Sequence, residues 1–180
     1  MTMREIEVKA KIDDSDKIIA SLENLGCVLS EPIVQNDKIF LENGIEFKDI
    51  RKGTNVLRIR EQKHKTLFTL KRREENELDC IEKEIEISNA KEFEEILEYL
   101  GYHEVVAVNK TRIKCKYDGL EICLDKVDEL GGFIEVEKMS DEDGLKVQEE
   151  LFGFLLSLGI KREDRIFKGY DTLIVEQNKP

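Results

Sequence analysis

Charged and aliphatic residues alternate strictly at three places along the chain: Glu5-Ile6-Glu7-Val8, Glu84-Ile85-Glu86-Ile87 and Glu135-Val136-Glu137. Residues i and i+2 of a strand share a face. Each stretch therefore predicts a strand with two carboxylates on one side and aliphatic groups on the other. An amphipathic segment follows each strand and closes on Leu-Gly, at Leu25-Gly26, Leu100-Gly101 and Leu158-Gly159. The spacing predicts helices over about 15–25, 90–100 and 142–158. Asp14 or Ser15 caps the first, which Gly26 stops, and Asn89 caps the second. Phe93, Ile96, Leu97 and Leu100 form the apolar stripe of the second helix. Leu145, Leu151, Phe152, Leu155 and Leu156 form that of the third. A strand-like stretch follows each helix, at 37–40, 109–113 and 164–167. The whole reads as a degenerate strand-helix-strand repeat. Its unequal spacing excludes a solenoid of fixed period, and two inserted hairpins account for the inequality.

Those hairpins set a register. Asp118-Gly119 favours a two-residue turn with positive φ at both positions. Arg112 then faces Asp125, Lys114 faces Cys123 and Lys116 faces Glu121. A turn at Lys63-His64 sets Arg60 against Leu67 and Arg58 against Thr69, with Lys71 on their face. The opposite faces carry Leu57, Ile59, Phe68, Leu70, Ile113, Cys115, Ile122 and Leu124. Every long strand is thus half apolar and half charged. Three helices are available to cover apolar faces. The economical solution is an α+β fold: a curled antiparallel sheet, helices packed outside, charged residues pointing into a polar lumen.

Composition narrows the function. The chain has 180 residues, 40% hydrophobic and 38% charged, which fits a single domain over 1–180 with charged side chains lining an interior cleft as well as the surface. The net charge of −11 argues against nucleic acid and against anionic membrane surfaces as partners. No apolar run reaches membrane-spanning length and no signal-peptide core opens the chain, so a cytoplasmic protein is expected. Cys27, Cys80, Cys115 and Cys123 lack metal-ligand spacing and read as small buried hydrophobes in a reducing compartment. His64 and His103 read as surface residues.

The inward set comprises Glu5, Glu7, Glu84, Glu86, Asp125, Glu135 and Glu137, interleaved with Lys9, Arg58, Arg60, Lys71, Lys110 and Arg112. Clustered carboxylates suit a hard divalent cation, Mg²⁺ or Mn²⁺. Arginine forks match phosphate oxygens. Acids, bases and a metal together are the means of phosphoryl or nucleotidyl transfer, and a basic-lined lumen suits a linear polyphosphate. Any one of these motifs alone is better explained by a solvated strand face; the inference rests on all of them falling at one parity.

The order Glu5-x-Glu7-x-Lys9, Arg58-x-Arg60, Lys71, Lys110-x-Arg112, then Leu124-Asp125-x-Val127-x-x-Leu130-Gly131-x-Phe133-x-Glu135-x-Glu137 resembles the CYTH domain. That superfamily, the triphosphate tunnel metalloenzymes, includes class IV adenylate cyclases and thiamine or inorganic triphosphatases. The resemblance runs from Met3 to about Tyr170. It implies a closed eight-stranded antiparallel tunnel binding a triphosphate and one or two Mg²⁺ or Mn²⁺ ions. Glu5, Glu7, Asp125, Glu135 and Glu137 would serve the metal. Lys9, Arg58, Arg60, Lys71 and Arg112 would be catalytic and grip the triphosphate, with Lys110 and Lys168 also binding substrate. Bacterial class IV cyclases tend to carry a His-Phe element before Glu-x-Glu-x-Lys. Here only Met1 to Arg4 precede Glu5, which leans away from the cyclase. Gly169-Tyr170 stands where the family carries Ser-Tyr. The expected activity is conversion of ATP to cyclic AMP and pyrophosphate, or hydrolysis of thiamine triphosphate or inorganic triphosphate, by a monomer or homodimer. The alternative is a non-catalytic nucleotide- or polyphosphate-binding module.

Overall fold

Eight antiparallel strands close on themselves in the computed structural model, which describes residues 3–178. β1 (Arg4–Ile12) pairs along its length with β8 (Gly131–Ser140) and through Glu5↔Cys80 with β5 (Asp79–Ile87). Between them run β2 (Ile33–Glu42), β3 (Asn55–Gln62), β4 (Lys65–Arg73), β6 (Tyr102–Tyr117) and β7 (Leu120–Val127). The order around the barrel is β5-β4-β3-β2-β6-β7-β8-β1 and back to β5. β1 and β8 therefore stand across the lumen from β2 and β3. Both hairpins have the expected register: Arg112↔Asp125 and Lys116↔Glu121 in one, Arg58↔Thr69 and Arg60↔Leu67 in the other. Asp118 and Gly119 both carry positive φ, 48° and 76°, which is the type I′ geometry that Asp-Gly favours.

The first three helices cover the apolar outer faces. α1 (Ser15–Asn24) begins where Asp14 accepts from the Lys17 N–H, and α3 (Gly144–Ser157) where Asp143 accepts from the Lys146 N–H. Ile18 and Leu22 of α1 and Val147, Leu151, Phe152 and Leu155 of α3 pack on Ile6, Val8, Ile122, Ile134 and Val136. α2 (Ala90–Tyr99), capped by Asn89, sets Leu97 against Phe40, Leu57 and Ile59, and its Phe93 ring lies 4.6 Å from that of Phe68. The repeat is realised as β1-α1-β2 and β5-α2-β6. In its third copy the last strand shrinks to β9 (Arg165–Ile166) after a single 3₁₀ turn.

Several positions differ from the sequence expectation. Leu145, Ile96 and Leu100 are exposed, whereas Gln148 of α3 is buried. Gln148 donates to the carbonyls of Glu7 and Leu78 and to Asn76 Oδ1, so it ties α3 to β1 and to the approach to β5. Burying that carboxamide is tolerable because its bonds are made. A fourth helix, α4 (Tyr170–Gln177), was not expected. Its Thr172, Ile174 and Val175 favour a strand on propensity alone. Tertiary packing decides otherwise: Tyr170 and Ile174 seat on Ile39, Val108, Val127 and Phe133, the apolar end of the inward-facing rows. α4 is therefore the plug at one end of the barrel.

Candidate functional site

The barrel encloses a cavity of about 500 Å³. Inward residues form it two by two along each strand. Next to the plug lie Lys9, Ile39, Val56 and Val108; at the other end lie Ile33, Gln62, Leu67, Lys114 and Glu84. Lys9 is 1% exposed, whereas the Lys114 and Glu84 side chains are 37% and 43% exposed, so the cavity opens away from α4.

Its charges are interleaved, with Lys9 3.5 Å from Glu7 and Lys71 paired with Glu82, but carboxylates crowd at one corner. Glu5 and Glu7 from β1 and Glu137 from β8 each bring a carboxylate oxygen within 4.8 Å of the others. β1 and β8 pair with Glu7 opposite Glu137, so the cross-strand register itself sets the acids together. Burial, with Glu82 and Glu7 nearby, outweighs Lys71 and pushes Glu5 up to about 7. Burial, then Glu5 and Glu7, push Glu137 up to about 8. Glu7 is raised as well, by burial and Glu135. The rest of the wall carries cations: Arg58 and Arg60 from β3, Lys71 from β4, and Lys110 and Arg112 from β6. Burial and the neighbouring Arg112, then Arg60, lower Lys110 to about 8 in spite of Asp125. Arg58 donates to Thr69 at 3.1 Å, but its buried Nε has no partner.

The five acids expected at a metal divide into two groups. Glu5, Glu7 and Glu137 form the three-carboxylate corner. Asp125 and Glu135 belong to the basic side. Asp125 accepts from Arg112 Nε at 2.6 Å and from the Tyr170 hydroxyl at 2.9 Å, with Lys110 at 3.6 Å. Glu135 is engaged by Arg112 and by Lys9 at 3.1 Å. Burial opposes its ionisation, yet Arg112 and Lys9 hold its carboxyl well below the usual range. Oxygen-only donors at this spacing fit Mg²⁺ or Mn²⁺. Glu137 also neighbours Cys123 and Glu121. Burial pushes that thiol far up, and Glu121 is already paired with Lys114, so those two are poor donors.

Two expected residues lie elsewhere. The Lys168 ammonium donates to Glu176 on α4 at 2.6 and 2.7 Å and does not line the cavity; only its carbonyl reaches in, accepting from Lys9 at 3.2 Å. Glu86 is exposed and pairs with Lys65, beyond the end of the cavity. Sequence reasoning missed Asp37, which accepts two bonds of 2.6 Å from Arg60, and Asp171. Asp37 lies at inward parity two residues from Gln35, so parity on β2 could have found it. Tyr170, its ring 4.0 Å from the Lys9 ammonium, is marked in the sequence only by the Gly169-Tyr170 resemblance, and its place in the site depends on α4.

A stability prediction follows from the acid corner. An acid whose folded pKa is raised contributes stability that is full below its unfolded value, 4.5 for glutamate, and is lost as pH rises through the folded value. Without divalent cation, the melting temperature should fall between pH 5 and pH 8. At a typical 2–4 °C per kcal/mol for chains of this size, a drop of roughly 5 °C is expected. Thermal melts in EDTA across that range test it, and Glu137→Gln should flatten the slope. A wild-type melting temperature that rises through the window would contradict the assignment.

The CYTH domain family matches residues 3–170. A Methanocaldococcus jannaschii protein bearing an adenylate cyclase name is 33% identical over 174 residues, 93% of this chain and 97% of the relative. A Pyrococcus horikoshii protein of solved structure superposes with a TM-score of 0.82 at 27% identity, covering 97% of this chain and 99% of that one. A Hippeastrum protein, assigned as an adenylyl cyclase and found to have a dominant triphosphatase activity, shares the fold with a TM-score of 0.63 at 18% identity, covering 98% and 95%. Among the described residues no helix is long and apolar enough to cross a membrane.

Proposed function

The chain belongs to the CYTH domain family, and on that premise we propose that it is a metal-dependent enzyme cleaving a triphosphate held in the barrel. One observation carries the proposal. A three-carboxylate corner faces a wall of arginines and lysines inside a single cavity closed at one end. Carboxylates crowd at the corner, and a divalent cation carried on a polyanion relieves that crowding while the phosphates meet the cations of the wall. Acids alone would suit a cation and bases alone an anion; the facing arrangement suits their complex.

Glu5, Glu7 and Glu137 would hold the cation, which when bound supplies positive charge to the phosphate oxygens. Arg58, whose Nε is unpartnered, and Lys71 grip the phosphates from β3 and β4. Arg60 is kept in place by Asp37, and Arg112 by Asp125 and Glu135, so their guanidinium groups are oriented before substrate arrives. Lys9 and Lys110 flank the Tyr170 ring and set the positive field at the closed end. In the cyclase the ribose 3′-hydroxyl attacks the α-phosphorus and pyrophosphate leaves. In the hydrolase water attacks the terminal phosphorus. Both need the same grip on the phosphates. The cyclase name of the M. jannaschii relative favours the first, and the activity described for the Hippeastrum protein keeps the second beside it.

The test offers ATP, inorganic triphosphate and thiamine triphosphate separately with Mg²⁺ or Mn²⁺ and identifies the products. Cyclic AMP with pyrophosphate selects the cyclase, and orthophosphate selects the hydrolase. Tight binding without turnover would overturn the enzyme and leave the polyphosphate-binding module.

A further inference from the structure

Gln35 and Gln62 are cross-strand neighbours on β2 and β3, and both line the cavity. Gln35 Nε2 donates to Gln62 Oε1 at 2.6 Å. Gln35 is 1% exposed, and its own Oε1 is buried with no hydrogen-bond partner. A buried carboxamide oxygen left unpaired is costly, so a fold that retains one at a cavity wall invites a ligand donor there. Two carboxamides joined by one N–H···O bond leave one carbonyl oxygen and one amino group wholly unengaged between them, whichever way the joined pair is turned. That pair complements an exocyclic amino group beside a ring nitrogen, the edge by which glutamine reads adenine.

The surroundings agree with a ring. Ile33 and Leu67 are the apolar members of the same stretch of wall. Gln62 lies two residues along β3 from Arg60, toward the open end, and Ile33 lies opposite Arg112. A triphosphate gripped by the arginines with its terminal phosphate toward α4 would carry its organic end to this place. Inorganic triphosphate has nothing to place there.

Resting on the triphosphate reading above, we propose that Gln35 and Gln62 form a subsite for an amino-substituted nitrogen heterocycle, so that the tunnel prefers an organic triphosphate such as ATP over inorganic triphosphate. The two side chains act on recognition of the ring and not on the reacting phosphorus.

The experiment is a set of calorimetric titrations with Ca²⁺ replacing Mg²⁺ to slow turnover. ATP, the purine riboside triphosphate lacking the 6-amino group, and inorganic triphosphate are titrated into wild-type protein, Gln35→Leu and Gln62→Leu. Leucine keeps most of the glutamine volume, and a melting curve checks that each variant is folded. Wild type should bind ATP about tenfold more tightly than the deamino analogue, the scale of one or two hydrogen bonds. In both variants that ratio should fall toward one, while affinity for inorganic triphosphate changes less than about twofold. Cytidine and thiamine triphosphates carry the same amino-beside-nitrogen edge on a smaller ring. Whichever of ATP, cytidine triphosphate and thiamine triphosphate loses most affinity in Gln35→Leu identifies the ring. Affinities for ATP, cytidine triphosphate and thiamine triphosphate that are all unchanged in both variants, with inorganic triphosphate still binding, would overturn the subsite alone. Failure of wild type to bind any triphosphate would overturn the function proposal together with it.

Discussion

Glu137→Gln is expected to lose nearly all cation-dependent turnover while melting at a higher temperature than wild type in EDTA at pH 8. Glu135→Gln is expected to melt lower. The two residues sit two apart on β8 and share a face, yet their surroundings are opposite. Glu137 shares its corner with Glu5 and Glu7, and burial together with those neighbours raises its carboxyl to about 8. A neutral amide there removes repulsion from the cation-free protein and removes a ligand from the cation. Charge stabilisation by a metal is worth several kcal/mol, so a loss on the order of a hundredfold or more in turnover is expected. Glu135 is the counter-charge for Lys9 and Arg112, with Lys9 and Glu135 side chains only 2% and 5% exposed. Taking the charge from one member of a buried ion cluster typically costs ~3–5 kcal/mol, a drop of roughly 10 °C for a chain of this size. Melting curves with and without Mn²⁺, alongside initial rates, check both variants. Equal destabilisation by the two changes would refute the division of the acids.

Arg58→Ala is expected to stay folded and to bind triphosphate about ten- to a hundredfold more weakly, whereas Arg60→Ala is expected to lose stability as well as binding. Charge-assisted hydrogen bonds contribute about 1.5–3 kcal/mol each, which sets the first figure. Arg58 is lightly committed within the protein, with Thr69 at 3.1 Å, Glu84 at 3.5 Å and a free Nε. Arg60 holds Asp37 by two bonds of 2.6 Å, and Asp37 is 4% exposed. Against burial, the hydrogen bonds and charge of Arg60 keep that carboxyl far below its ordinary range. Without Arg60 the carboxylate is stranded, at a cost of ~3 kcal/mol or more. Urea unfolding and triphosphate titration of both variants give the comparison. A loss of stability in Arg58→Ala with triphosphate binding intact would remove Arg58 from the substrate grip.

What the sequence made legible follows from period and turn chemistry. Alternation at Glu5-Ile6-Glu7 and Glu135-Val136-Glu137 fixes which side chains face inward, and Asp118-Gly119 fixes the register that sets Arg112 opposite Asp125. These are local rules, and they carried the barrel and most of its lining. They do not tell a hydrated lumen from a dry ion cluster. Strand parity turns Arg60 and Glu135 inward but does not show the Asp37 that holds the one or the Lys9 that engages the other, partners distant in sequence. The plug was illegible for a related reason: the helical state of Tyr170–Gln177 is imposed by the apolar end of the barrel, against the preference of its β-branched residues. Lys168, which the resemblance placed with the substrate, pairs with Glu176 of α4, and that helix was not legible locally.

The central claim is that the acid corner and the basic wall act on one ligand pair. Calorimetric titration of inorganic triphosphate into the cation-free protein, and into the protein saturated with Ca²⁺, tests it most directly. If both sites serve one complex, each ligand strengthens the other by the same factor. Triphosphate affinity should rise at least tenfold with the cation, and that rise should vanish in Glu137→Gln. Triphosphate affinity that is independent of the cation in wild type would contradict the account.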